Sequence, residues 1–170
     1  MAATPGQRWP RFRCFVVAML AECPVWIPEA RLLAWVDILG PTYNLLDPST
    51  GINRAIPVHA KIGSAAPLDA GEAILALEDG LWLFRQGQPL ASLPSPDMTG
   101  VHFNDGKCDP AGRFWVGTRA TDGSPGGGAL YRVGWEREDN TIRPQPAPEP
   151  GAAIFSAKNS PRPPSPSVMR

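Results

Sequence analysis

The chain has 170 residues, 43% of them hydrophobic and 19% charged, with 16 basic residues against 16 acidic ones. That length supports one hydrophobic core, and a formal net charge of zero removes the electrostatic grounds for partners such as nucleic acid or an anionic membrane surface. No apolar stretch approaches the roughly 20 residues that cross a bilayer as a helix, so no membrane role is expected.

From the N-terminus, Arg8, Arg11 and Arg13 precede the apolar run Cys14 to Ala21. A secretory signal also begins with charge before an apolar run. This run is short and ends at Glu22-Cys23-Pro24 instead of small residues, so it predicts a first β-strand. Cys14, Cys23 and Cys108 are an odd count without CxxC or Cys/His spacing, which reads as buried reduced thiols and a cytoplasmic location.

Three turn-plus-strand units follow: Ile27-Pro28-Glu29-Ala30-Arg31, Leu68-Asp69-Ala70-Gly71-Glu72 and Asp109-Pro110-Ala111-Gly112-Arg113. Pro28, Asp69 and Pro110 stand 41 positions apart (28 to 69, 69 to 110), the interval of propeller blades. The turns lead into predicted strands at Leu32 to Ile38, Ala73 to Leu77 and Phe114 to Thr118. Asp79-Gly80 joins the second of these to Leu81 to Phe84 as a tight hairpin. Turns are expected at Asp47-Pro48-Ser49-Thr50-Gly51 and at Gly126-Gly127-Gly128, with a strand from Ala129 to Val133. Many short strands at regular spacing predict an all-β protein, a partial β-propeller of about three blades, with a β-sandwich as the structural alternative. Trp26, Trp35, Trp82 and Trp115 are expected to pack between neighbouring blades. Asp37 and Asp109 are expected to brace turns, and His59 stands alone in a connection.

Beyond Val133 the composition turns to proline, at 144, 146, 148, 150, 161, 163, 164 and 166. Proline removes ladder donors, so the division predicted is blades over 14–133 and, over 134–170, a tail that is disordered or partly polyproline-like and builds no fourth blade.

Glu22 precedes Pro28 by the same six positions that separate Asn104 from Pro110. Equivalent places on inner strands point to one end of a propeller channel, and carboxylate and amide oxygens suit hard divalent cations. The middle repeat has Gly63 there, read as leaving space. The alternative is that Glu22 is a solvated carboxylate and Asn104 a turn former beside Asp105-Gly106.

Ala21-Glu22-Cys23-Pro24-Val25-Trp26, Trp35-Val36-Asp37-Ile38, the run Phe103 to Thr118 (Phe-Asn-Asp-Gly-Lys-Cys-Asp-Pro-Ala-Gly-Arg-Phe-Trp-Val-Gly-Thr) and Gly128-Ala129-Leu130-Tyr131-Arg132 together resemble the gluconolactonase/regucalcin (senescence marker protein) family across residues 14 to 133. The resemblance implies blades of a six-bladed propeller and a sugar lactone hydrolase dependent on a divalent cation (Ca, Zn, Mn or Mg). It implies Glu22 as the first metal ligand and Asn104 as a contact to substrate and metal-bound water. His102 falls where the family commonly has an arginine that holds the sugar acid. In the family the cation acts as a Lewis acid on the lactone carbonyl while a carboxylate activates water. The family's second ligand, an Asn in an Asn-Gly-hydrophobic motif, and its third, an Asp that also serves as base, have no counterpart here; Asn159 is followed by Ser160-Pro161. No catalytic residue is therefore assigned, and the chain is expected to be a shortened or frame-shifted family member of low or no activity. The alternative function is non-enzymatic: a propeller fragment whose exposed sheet faces and edges pair with a second copy or another chain.

Overall fold

The computed structural model describes residues 15–69 and 71–133 throughout, and residues 143–145 and 152–156 as strands. Its regular elements are all strands, joined by turns at the expected interval. The first sheet is an antiparallel meander of β1 (Ala21–Ile27), β2 (Leu32–Asp37), β3 (Thr42–Leu46) and β4 (Asn53–Pro57). The second repeats it with β5 (Ile62–Pro67), β6 (Glu72–Leu77), β7 (Gly80–Arg85) and β8 (Ala91–Leu93). The third begins in the same way with β9 (Val101–Cys108), β10 (Phe114–Ala120) and β11 (Leu130–Val133).

Local chemistry sets the turns. The loop before β4 closes as Gly51 donates its N–H to the Asp47 carbonyl at 2.8 Å, while Asp47 Oδ1 accepts from Ser49 N at 2.8 Å. At the repeated turn, Asp69 Oδ1 accepts from Gly71 N and Glu72 N, and Asp109 Oδ1 accepts from Ala111 N and Arg113 N. A short aspartate can bond the backbone two to four residues on, and that selects it here. Asp37 braces its neighbourhood as expected, accepting from Met19 N, Leu20 N and Gly40 N at 2.9 to 3.0 Å. Desolvation is the largest single influence on its carboxyl and pushes it up, but these backbone donors and Leu39 together hold it below the usual range.

Strand alternation places the core. Along β6, Ala73, Leu75 and Leu77 cluster with Ala34, Val36 and Tyr43 of the first sheet. The intervening Ile74 and Ala76 cluster with Phe103, Phe114 and Val116 of the third. The middle sheet is therefore covered on both faces, each by a different sheet. In a two-sheet sandwich only one face of each sheet would be buried, so the arrangement is the stacked one of consecutive blades. Each fully buried aliphatic side chain in these seams contributes about 1.5–3 kcal/mol of transfer free energy. Tyr43 and Phe84 meet edge to face across the first seam at 5.4 Å between ring centroids.

Three expectations about the fold change. The first strand starts at Ala21 and not at Cys14: Phe15 to Leu20 form no strand, and Val17 is 91% exposed. This segment is tied instead to Asp37 and, through the Leu20 carbonyl, to Ile38 N. His59 does not stand alone; its Nε2 lies 2.8 Å from Asp79 Oδ2, and its ring meets Trp82 edge-on at 4.5 Å. Trp35 does not pack between blades. It lies on the face of β2 turned away from the second sheet and donates its indole N–H to Asn53 Oδ1, while Trp26, opposite Leu33 on that same face, is 37% exposed. Within 134–170, the described residues are two short strands at one edge of the third sheet. The proline-free run in β13 (Ala152–Ser156) pairs in parallel with β11, and β12 (Arg143–Gln145) pairs with β13. The remainder of 134–170, and Cys14, lie outside the described residues.

Candidate functional site

The first strands β1, β5 and β9 pack side by side, and each is bulged at the same level. In the first sheet Glu22 pairs with Val36 and Val25 with Ala34, so Cys23 and Pro24 oppose Trp35 alone. In the second, Ile62 pairs with Leu77 and Ser64 with Ala76, leaving Gly63 over. In the third, Phe103 pairs with Thr118 and Gly106 with Val116, leaving Asn104 and Asp105 against Gly117. A bulge kinks its strand and re-aims the side chains beside it. Here the device recurs at the places that counting along the repeat marks as equivalent: Glu22, Gly63 and Asn104.

Cys23 carries the kink of the first bulge, with φ at +51°. Its thiol lies 3.6 Å from the Ala65 carbonyl and 3.7 Å from the Gly106 carbonyl, touching both other first strands at once. Burial, the largest influence, pushes the Cys23 thiol up; the Ala65 carbonyl and Lys107 oppose it, and Asp105 and Glu22 add to it. Burial, then Cys23 and Asp109, push Cys108 up to about 11. Both groups are held as neutral thiols, which suits packing and not thiolate chemistry.

Gly63 does not open space, contrary to the sequence expectation. A Cβ at this residue would lie 2.4 Å from the Asn104 carbonyl oxygen and 2.5 Å from that of Phe103, so the backbone of β9 fills the place. Gly106 is similarly constrained, its Cβ position lying 2.7 Å from Ser64 Oγ. Ser64 is fully buried, and its hydroxyl has no hydrogen-bond partner among the described residues. Small residues on β5 let three first strands approach. Gly63→Ala is accordingly expected to lower stability by about 1–2 kcal/mol, because backbone and not a flexible side chain must yield. Urea denaturation measures this, and an unchanged midpoint would contradict the close approach.

Glu22 and Asn104 are exposed, at the bulges of the first and third sheets, and Asp105 is exposed beside Asn104. The turn reading of Asn104-Asp105-Gly106 fails, since all three residues lie within β9. Asp105 is the functional candidate that sequence reasoning passed over. Its Oδ1 accepts the Gly106 N–H at 2.8 Å, and it lies close enough to Cys23 to act on it electrostatically. His102 is half-buried on the same strand opposite Arg119, and its Nδ1 is buried without a hydrogen-bond partner among the described residues. A cavity of about 290 Å³ beside Glu22 is lined largely by Phe15, Val16, Ala18, Leu33, Trp35 and Leu46. That lining is apolar and does not match a polyhydroxylated ligand.

The described residues do not by themselves complete a site for a divalent cation. Calcium takes about six to eight oxygen ligands and structural zinc takes four donors. Among the described residues, no group of three or more His, Cys, Asp or Glu side chains is placed to hold a metal ion. Neutral, buried thiols cannot make up the deficit.

Two four-stranded meanders and a third sheet that opens in the same way, stacked and repeating at 41 residues with their first strands gathered and bulged together, define blades of a β-propeller. The chain belongs to the SMP-30/Gluconolactonase/LRE-like family, whose conserved region matches residues 20–157. It is similar to 6-deoxy-6-sulfogluconolactonase of Pseudomonas putida, 35% identical over 68% of this chain and 41% of that protein. It is also similar to regucalcin of Xenopus laevis, 36% identical over 62% of this chain and 36% of that protein. Among solved structures, a calcium-binding protein, regucalcin, from Agrobacterium tumefaciens shares the fold with a TM-score of 0.65 at 23% identity, covering 71% of this chain and 42% of that one. The chain thus spans about two-fifths of the length of the relatives it matches.

Proposed function

We propose that this chain carries part of a sugar-lactone site, in which Asn104, Asp105 and His102 on β9 meet the sugar and Glu22 supplies one carboxylate toward a divalent cation. Acting alone it binds lactone with little or no turnover. The observation that carries this reading is the exposed Asn104-Asp105 bulge beside the strand that bears Glu22. An amide both donates and accepts hydrogen bonds, and a carboxylate accepts, so together they suit the hydroxyls of a sugar lactone. The lactonase name of a relative supports the substrate class. Low turnover follows from a donor set too small for a resident cation and from the lack of an assigned base, a group worth about 10²–10⁴-fold in rate.

The test is calorimetric titration with a hydrolysis-resistant sugar lactone analogue, paired with hydrolysis assays of gluconolactone with calcium, zinc, manganese or magnesium. Asn104→Ala is expected to weaken binding about tenfold, as for the loss of one or two hydrogen bonds. Absence of binding by the unaltered chain, or turnover close to that of a complete family member, would overturn the reading.

A further inference from the structure

Glu22, His102 and Asn104 stand in the first halves of β1 and β9, and β10 runs antiparallel to β9, so the end of β10 returns to the level of the proposed site. Arg119 occupies that end of β10. It pairs directly with His102 across the ladder, and cross-strand partners share a face with their Cβ atoms about 4.5–5.5 Å apart. The backbone around it is pinned on both sides. Thr118 N donates to the Ala129 carbonyl at 2.8 Å and Thr118 Oγ1 accepts from Ala129 N at 2.9 Å, while Thr121 N donates to the Gly100 carbonyl at 2.9 Å. From this base the guanidinium extends toward the β10–β11 loop, where Nη2 lies 3.7 Å from the place a Cβ would take on Gly123.

Arg119 is exposed and enters no ion pair among the described residues, whereas Arg85 is held by Glu72 and Arg113 by Asp109. Asp122, three residues on, accepts from the Ser124 N–H instead. A guanidinium keeps its charge, carries five N–H donors in a planar fork and has no acceptor, so it matches a carboxylate, sulfonate or phosphate better than a hydroxyl. The Nδ1 of His102 is buried, which leaves that ring only its other nitrogen for a ligand. Charge is divided along the strand: the carboxylates of Glu22 and Asp105 stand at the bulges, and the bulge of β9 begins two residues, about 7 Å, from the His102–Arg119 rung. A lactone whose ring lies at the bulge brings the far end of its carbon chain to Arg119. An acidic group at that end is drawn to the cation and kept away from the two carboxylates. We propose, resting on the sugar-lactone reading of the bulge, that Arg119 determines the specificity of the site: it holds an anionic substituent at the end of the substrate distant from the ring carbonyl, and acidic sugar lactones are preferred over neutral ones.

Calorimetric titration of the full chain with two hydrolysis-resistant lactams tests this: gluconolactam, which is neutral, and the same ring with its terminal hydroxymethyl group oxidised to a carboxylate. The unaltered chain should bind the carboxylate about tenfold more tightly at low salt, as for one charge-assisted contact. That advantage should shrink at about 0.5 M sodium chloride, where exposed charges are screened. Arg119→Gln should bring the ratio of the two affinities to about one, and Arg119→Lys should keep part of it, since an ammonium retains the charge without the fork. Asn104→Ala should weaken both lactams and leave the ratio. Because the readout is a ratio within one protein, a general loss of structure moves both affinities together and does not imitate the expected result. Equal affinity for the two lactams in the unaltered chain, or a preference that survives Arg119→Gln, would overturn the proposal and leave the sugar-lactone reading standing. Binding of neither lactam by the unaltered chain would overturn both.

Discussion

Leu75→Ala is expected to lower the free energy of unfolding by about 3 kcal/mol, within the range for buried Leu-to-Ala changes. Leu75 is wholly inaccessible at the middle of β6, between Ala65 and Trp82 on neighbouring strands and facing the first sheet. Removing its branched end deletes apolar burial and leaves a void that two packed sheets cannot collapse, because each is held by its own ladder and by the other seam. Urea denaturation followed by tryptophan fluorescence should show a lower midpoint at an unchanged slope. Leu39→Ala, at a 47% exposed position in the β2–β3 turn, should stay within about 0.5 kcal/mol. A loss at Leu75 no larger than the one at Leu39 would mean that the middle sheet is not covered on the face turned to the first.

The elements that repeat were legible in the sequence, because repetition supplies its own control. Leu32, Ala73 and Phe114 were each placed by the turn before them, and they sit at or next to the starts of β2, β6 and β10. The Asp79-Gly80 hairpin was legible because its turn chemistry is local. What depends on pairing was hidden. A bulge is a property of two strands in register, and nothing in Cys23 announces a positive φ that is more usual for glycine or asparagine. The apolar run from Cys14 drew the first strand too early, and Pro24 sits inside the observed strand at its bulge, where the ladder does not need its N–H. Asn-Asp-Gly is turn chemistry in isolation, which concealed Asp105. Gly63 was misjudged for the same reason, since the atoms that fill its place belong to Phe103 and Asn104, about 40 residues away.

The family's Glu22 and Asn104 therefore entered as positions in a count, and the structure supplies a physical reason for that count to matter. A bulge repeated in three sheets turns three strands at one level, so the residues beside it share an end of the strand cluster. The small residues of β5 and the neutral thiol of Cys23 are what allow this gathering. They hold β1, β5 and β9 together, and the polar side chains of the proposed site, Glu22, His102, Asn104 and Asp105, stand on β1 and β9.

Asp109→Asn should cost about 2 kcal/mol at neutral pH, and the cost should vanish in acid. Asp109 Oδ1 accepts from Ala111 N at 2.9 Å and Arg113 N at 3.0 Å; Oδ2 accepts from Arg113 Nε at 2.6 Å and Trp115 Nε1 at 2.9 Å. Desolvation is the largest single influence on this carboxyl and raises it, but the bonds from Trp115, Arg113 and Ala111 outweigh it and bring it down to about 2. A carboxyl depressed in the folded state contributes stability that is fully present above its unfolded value near 4. That contribution is lost as pH falls through the folded value. The depression corresponds to about 2 kcal/mol, discounted for the exposed side of the Arg113 pair. Asparagine does not titrate in this range, so the stability difference between the two proteins isolates Asp109 from every other carboxyl, Asp37 included. Denaturation at a series of pH values should show a constant difference above about pH 5, a decline between about pH 4 and 2, and convergence below that. A difference that persists unchanged at pH 2 would mean that shape and not charge holds this turn. In that case the Asp109 contacts to Arg113 and Trp115 would be consequences of the β9–β10 turn and not its cause.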